Sequence, residues 1–214
     1  MLNITNGDYF NEYFKKNINP CAVPFREAIM QGDATAKVFS DDFVLARSKS
    51  LGVSKEKYLE YAKDLLREFE RLNQIEKIEL WFGMDTFCQL NVLTLLAYLE
   101  QRNYSGKVFL NFIDDETFAV VGEKVEVKLG LYEQIYFDAV VNKRTPKEYG
   151  VLDKGAIDLY FDFLSPSGQL AKIVLNGANE PRQDIVIKLI NESKDYGLSD
   201  LLAEELIDRV LGKK

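Results

Sequence analysis

Residues 77–103, KIELWFGMDTFCQLNVLTLLAYLEQRN, contain the strand, turn and helix from which the architecture of this 214-residue chain follows. Ile78, Leu80 and Phe82 alternate with Glu79 and Trp81 in a short β-rich run that stops at Gly83, the pattern of a largely buried strand. Asp85 comes next, and its short carboxylate suits an N-cap, where it accepts from the free N–H groups of a first helical turn. Phe87, Leu90, Leu93, Leu96 and Ala97 make the following helix apolar on more than one face. A helix packed between a sheet and other helices has that composition. After an Asn103-Tyr104-Ser105-Gly106 turn, Lys107 to Ile113 forms a second strand. Strand, helix and strand with short connections make a βαβ unit, so the two strands are expected to be parallel and the crossover right-handed.

Upstream, Leu2 and Ile4 mark a first strand, Asn6-Gly7-Asp8 a turn, and Tyr9, Phe10, Tyr13 and Phe14 one face of a helix with Lys15 and Lys16 at its negative end. The strand-turn-helix grammar of residues 77–103 is thus repeated. Asn19 to Val23 is extended by its flanking prolines, and Phe25 to Gln31 reads as two helical turns stopped by Gly32. Ser40 and Ser54 start two capped helices, the second amphipathic. Downstream, Thr117 to Val121 and Val125 to Leu129 flank Gly122-Glu123-Lys124 as a short β-hairpin. From Leu131 the period is helical, with Ser199 capping the last helix. The expected fold is α/β, with a small mainly parallel Rossmann-like sheet covered by helices over residues 1–115. A mainly helical companion follows over residues 116–214, with the hairpin at its start.

The formal charge is −7, acidic residues exceed basic ones in both halves, and no basic block is present. Non-specific nucleic-acid affinity comes from neutralising phosphates, so nucleic acid is excluded as a partner. The chain has no histidine, which removes Ser-His-Asp and Cys-His nucleophile activation and histidine metal sites. Cys21 and Cys88 lie far apart, and Cys88 falls in an apolar helix as a small hydrophobe, so neither a disulfide nor a metal site is expected. The apolar run Val92–Leu99 is far shorter than the roughly 20 residues of a membrane span. With no basic, apolar leader at the start, the expected location is the cytoplasm.

Three blocks, ITNGD at 4–8, PFREAIMQGD at 24–33 and LWFGMDTFCQLNVLTLLAYLE at 80–100, resemble the bacterial domain-of-unknown-function family eighteen thirty-five in order and spacing. The resemblance covers residues 1–115 and implies an α/β fold followed by a helical companion. It implies no activity and no cofactor, and histidines associated with some members are missing here.

In an open α/β sheet, ligands bind outside the carboxyl ends of the strands near the point where strand order reverses. Parallel strands would bring Asn6, Gly7 and Asp8 together with Gly83, Asp85, Asp114 and Asp115 at that edge. Helix N-termini there favour anions, while carboxylates favour cations, hydroxyls and amines. A nucleotide, sugar or phosphorylated metabolite is the expected class of ligand. Arg26 and Arg47 could supply a fork for phosphate or carboxylate. For Asp8 and Asp85 the plain alternative is helix capping, and for Asp33, Asp41 and Asp42 a solvated capping segment. Trp81 and the aromatic face at 9–14 read as core. The competing function is a non-catalytic regulatory or scaffolding protein that docks a partner protein through its helical half.

Overall fold

A computed structural model of the chain describes residues 1–212. Five strands, β1 (Leu2–Asn6), β2 (Ala22–Phe25), β3 (Lys77–Phe82), β4 (Lys107–Ile113) and β5 (Val120–Val127), form one sheet in the order β2-β1-β3-β4-β5. β1 pairs in parallel with β2 and β3, and β3 with β4, while β5 runs antiparallel to β4. The expected α/β fold with a mainly parallel sheet and a helical C-terminal region is therefore what forms. Ile4, Leu80 and Leu110 stand side by side across three strands, all fully buried.

That apolar face is covered by α4 (Thr86–Gln101), whose residues from Cys88 to Leu99 are all buried. A helix buried all round has apolar side chains on every face, and α4 is indeed packed by sheet on one side and helices on the other. Its further neighbours include α5 (Tyr132–Tyr136), which continues into a π-helical turn at Phe137–Val141, and α6 (Lys154–Leu164). α7 (Gln169–Asn176), α8 (Arg182–Glu192) and α9 (Asp200–Leu211) complete the helical half. One hydrophobic cluster runs from Leu2 through α4 to Ile207. β5, from the second half of the sequence, completes the sheet of the first.

The opposite face of the sheet is covered more thinly, by α1 (Gly7–Asn17). Phe10 and Phe14 of α1 pack with Ile113, Trp81 and Phe118 in a separate small cluster, with the Phe14 and Trp81 rings 4.9 Å apart. Residues of opposite parity on one strand point to opposite faces, so Trp81 and Glu79 share this side while Ile78, Leu80 and Phe82 face α4. Lys77 and Lys124 pair with Glu79 and hold it there.

Capping follows the sequence closely. Ser40 caps α2 (Asp41–Ser50), Ser54 caps α3 (Lys55–Phe69), Asp85 caps α4 and Ser199 caps α9, each side chain accepting from a first-turn N–H. Two expectations fail. Residues 25–31 form no helix, because the chain enters β2 as far as Phe25 and then runs irregularly to Ser40. The guanidinium of Arg47 donates to the carbonyls of Ala28, Gln31 and Asp33, which gives this segment a non-helical set of hydrogen-bond partners. Pro24 lies within β2, which is tolerated because β2 is an edge strand. The hairpin expected around Gly122 is one continuous strand, β5. Gly122, at φ +71, sits in a bulge where Phe112 pairs with Val121 and Leu110 already with Val125. Among the described residues no helix is long and apolar enough to cross a membrane.

Candidate functional site

The chain leaves β1 towards β2 on one side and returns to β3 on the other, so strand order reverses between β1 and β3. The residues following the strands populate both sides of this point. Asn6 ends β1 and holds the N-cap position of α1 without capping it. Its Nδ2 donates to Cys88 Sγ at 3.1 Å and its Oδ1 accepts from Asn91 Nδ2 at 3.2 Å, which ties the edge of β1 to α4. Asn91 also donates to the Glu27 carbonyl at 2.9 Å. Gly7 turns the chain at φ +68, a left-handed conformation that glycine adopts without a Cβ penalty.

On the β1–β2 side, Asp8 lies inside the first turn of α1 and is not its cap, which corrects the capping expectation. It accepts instead from Arg26 Nε through both oxygens, at 2.8 and 2.9 Å. Arg26 follows β2, and its Nη1 donates to the carbonyl of Tyr61 on α3 at 2.8 Å and lies 3.7 Å from Asp64 Oδ2. Asp8, Arg26, Tyr61 and Asp64 thereby line a cleft of about 890 Å³, closed by the α2–α3 connection at Leu51 and Val53 and by Leu201 of α9. Behind it, Glu27 is buried against Arg47, whose guanidinium reaches its Oε2 at 2.9 Å, and accepts from Tyr58 Oη at 2.6 Å. Burial beside the Glu27 carboxylate pushes the Tyr58 hydroxyl far above its ordinary pKa, so it stays a donor. Arg47 is fully buried and spends its donors on Glu27 and three carbonyls. It presents no fork to a ligand, contrary to the sequence expectation.

On the β3–β4 side, Asp85, Cys88 and Asp115 bring their ligating atoms within 4.8 Å of one another. Gly83 makes this approach feasible, since a Cβ there would lie 2.2 Å from Asp115 Oδ2. Gly197, before α9, does the same for Asp85, at 2.1 Å from Oδ1. Partial desolvation and the adjacent Asp85 carboxylate raise the pKa of Asp115, whose outer side is exposed, to about 7. Burial and the same two carboxylates push the Cys88 thiol up, which keeps it protonated and unreactive. Two of the three groups already have partners: Asp85 caps α4 and Cys88 receives Asn6. Asp114 takes no part, because its carboxylate turns into its own loop and accepts from Thr117 N and Oγ1 at 2.8 and 2.7 Å. Those two bonds lower its pKa. Asp41 and Asp42 are exposed in the first turn of α2, as a solvated capping segment.

The sequence-derived residues therefore divide into two groups. Asp8 and Arg26 belong to the cleft, Gly83, Asp85 and Asp115 to the carboxyl pair, and Asn6 connects them through α4. Sequence reasoning missed Tyr61 and Asp64, which look like ordinary surface residues of an amphipathic helix. It also missed Gly197, far away in the chain. Cys88 was detectable as the third residue after the Asp85 cap, the position whose N–H the cap binds. Comparison of the chain with protein-family models, with curated proteins and with solved structures finds no match to any of them.

Asp115 gives a pH prediction. Its folded pKa is raised, so the folded state holds the proton more tightly than the unfolded chain. The resulting penalty is absent below about pH 4, grows between about pH 4 and 7, and is complete above about pH 7. Asp115→Asn removes it, and since the open side of Asp115 is screened by solvent, a gain of about 1 kcal/mol is expected at pH 8. At pH 4 the variant and wild type should be equally stable. Urea melts at the two pH values check this, and an equal effect at both would show that the Asp115 pKa is not raised in the folded state.

Proposed function

We propose that this protein binds a small polar metabolite at the carboxyl edge of its sheet. The observation that supports this best is the cleft of about 890 Å³ built from residues that directly follow β1 and β2. Its size falls within the roughly 300–1,000 Å³ of small-molecule clefts, and it adjoins the strand-order reversal where open α/β sheets place ligands. The lining combines an apolar wall, Leu51, Val53 and Leu201, with a few fixed polar groups, which is the usual division between affinity and orientation. No nucleophile–base set lies in the cleft, so the proposal is binding. The resemblance of residues 1–115 to family eighteen thirty-five rests on the three blocks alone and names no ligand.

A thermal-shift screen with nucleotides, sugars, amines and divalent ions tests the proposal. A ligand present at about a hundred times its Kd adds roughly 2.7 kcal/mol to the folded state, a readily measured rise in melting temperature. The rise should shrink in Asp64→Asn and Leu201→Asn, which change the cleft wall at exposed positions. No shift with any class, or a shift unaffected by both variants, would overturn the cleft as the site and favour the protein-docking alternative.

A further inference from the structure

We infer that β5 is an association surface whose occupant is β5 of a second copy of this chain, paired antiparallel about a two-fold axis at Val125. β5 lies at the edge of the sheet opposite β2, so this contact is independent of the cleft and leaves it open.

The strand is held on one side only. It ends the sheet with β4 along its inner edge, and every residue from Val120 to Glu126 is exposed. The other edge strand is managed differently, since β2 is four residues long, contains Pro24 and packs against α3. A long free edge keeps a row of backbone N–H and C=O groups that another strand can take up. Val125 pairs with Leu110 and Val121 with Phe112, so both lie on the side that faces α4, yet they are 37% and 43% exposed. Charges and a bulge at Gly122 restrict what such an edge accepts, and the charges therefore indicate which strand fits.

Lys124 and Glu126 stand on the opposite side of the strand from Val125, two residues apart. Lys124 lies 3.4 Å from Glu79, but Lys77 pairs with the same carboxylate oxygen, so one carboxylate serves two ammonium groups. Glu126 stands opposite Phe109 and has no cation partner among the described residues. The edge thus carries a half-matched cation beside an unmatched anion, a pattern complementary to its own reverse. A two-fold axis perpendicular to the sheet keeps both copies facing the same way, so it must pass where one residue meets its own copy. Centred on Glu123, Lys124 or Glu126, it would set like charges against each other, and centred on Gly122, at φ +71, it would fall on the bulge. Centres nearer the strand ends leave most of β5 unpaired. Centred on Val125, it sets Lys124 opposite Glu126 at two equivalent places and valine against valine on the other side. Directly opposite residues bring their Cβ atoms within about 5 Å, close enough for both ion pairs to form.

The test is sedimentation velocity of the full chain from micromolar to millimolar concentration, for wild type, Lys124→Glu, Glu126→Lys and an equal mixture of the two variants. One strand pair makes a narrow interface, so a weak, concentration-dependent dimer is expected. Each single variant sets like charges opposite each other at both places and should raise the dimer dissociation constant about tenfold. The mixture should associate as wild type does, because each variant supplies at both places the charge that the other lacks. Amide hydrogen exchange in β5 should slow as the concentration rises, which locates the contact on this strand. Glu126→Lys changes an exposed side chain without an ion pair among the described residues, so it carries the test alone if Lys124→Glu fails to fold. A chain that stays monomeric at millimolar concentration, a dimer whose constant neither variant moves, or a mixture that associates no more tightly than its components would overturn the inference.

Discussion

Arg47→Ala is expected to destabilise the fold by about 3–5 kcal/mol, the cost of stranding a buried charge by removing its partner. Glu27 would lose the ion pair at 2.9 Å while remaining buried, with only the neutral donors Tyr58 Oη and Ala28 N–H left on its carboxylate. The carbonyls of Ala28, Gln31 and Asp33 would lose the guanidinium donor at the same time. For a chain of this length the loss corresponds to a fall in melting temperature on the order of 10 °C. Arg47→Lys should recover little, since one ammonium cannot meet two carboxylate oxygens and three carbonyls arranged around a planar fork. A double variant, Arg47→Met with Glu27→Leu, should be more stable than Arg47→Ala alone, because no charge is then left buried. The measurement is thermal and urea unfolding of the four proteins. A loss below 1 kcal/mol for Arg47→Ala would mean that Glu27 reaches solvent or takes a proton at little cost.

The same residue shows where the sequence is legible and where it is not. β3, α4 and β4 can be read directly, since burial on one strand face and around a whole helix writes itself as alternation and as an unbroken apolar run. The serine and aspartate caps are equally plain, because a cap acts within three residues of itself. The segment after β2 is opaque for the opposite reason: its shape is set by Arg47, about twenty residues away, and local propensity at 25–31 favours the helix that does not form. Asp8 and Asp85 show the same division. Both follow a strand and precede a helix, yet Gly7 starts α1 one residue early, so Asp8 falls inside the first turn and is free to bind Arg26, whereas Asp85 caps. Asp115 could be placed at the carboxyl edge by strand order alone. Its closeness to Asp85 depends on Gly83 and Gly197, whose missing side chains leave no pattern in a sequence.

Asn91→Ala should be the second largest loss, about 3 kcal/mol. Asn91 is a fully buried amide in the middle of α4, within its unbroken buried run from Cys88 to Leu99. Its Nδ2 satisfies Asn6 Oδ1 at 3.2 Å and the Glu27 carbonyl at 2.9 Å, so it joins the end of β1 and the segment after β2 to the central helix. Removing it leaves two acceptors without donors away from water, each costing about 1–3 kcal/mol. Asn91→Leu restores the volume but not the bonds, and Asn91→Asp keeps the shape but turns a carboxylate oxygen towards two acceptors. If the amide matters through its hydrogen bonds, Leu should be nearly as destabilising as Ala and Asp worse than either. Melting temperatures should fall by about 6–12 °C for Ala. Since Asn6 and Glu27 flank the cleft, the same variants should also weaken any ligand-induced shift, even though residue 91 does not line it. A fully stable Asn91→Leu protein that keeps the ligand shift would show that packing along α4 alone positions the carboxyl edge.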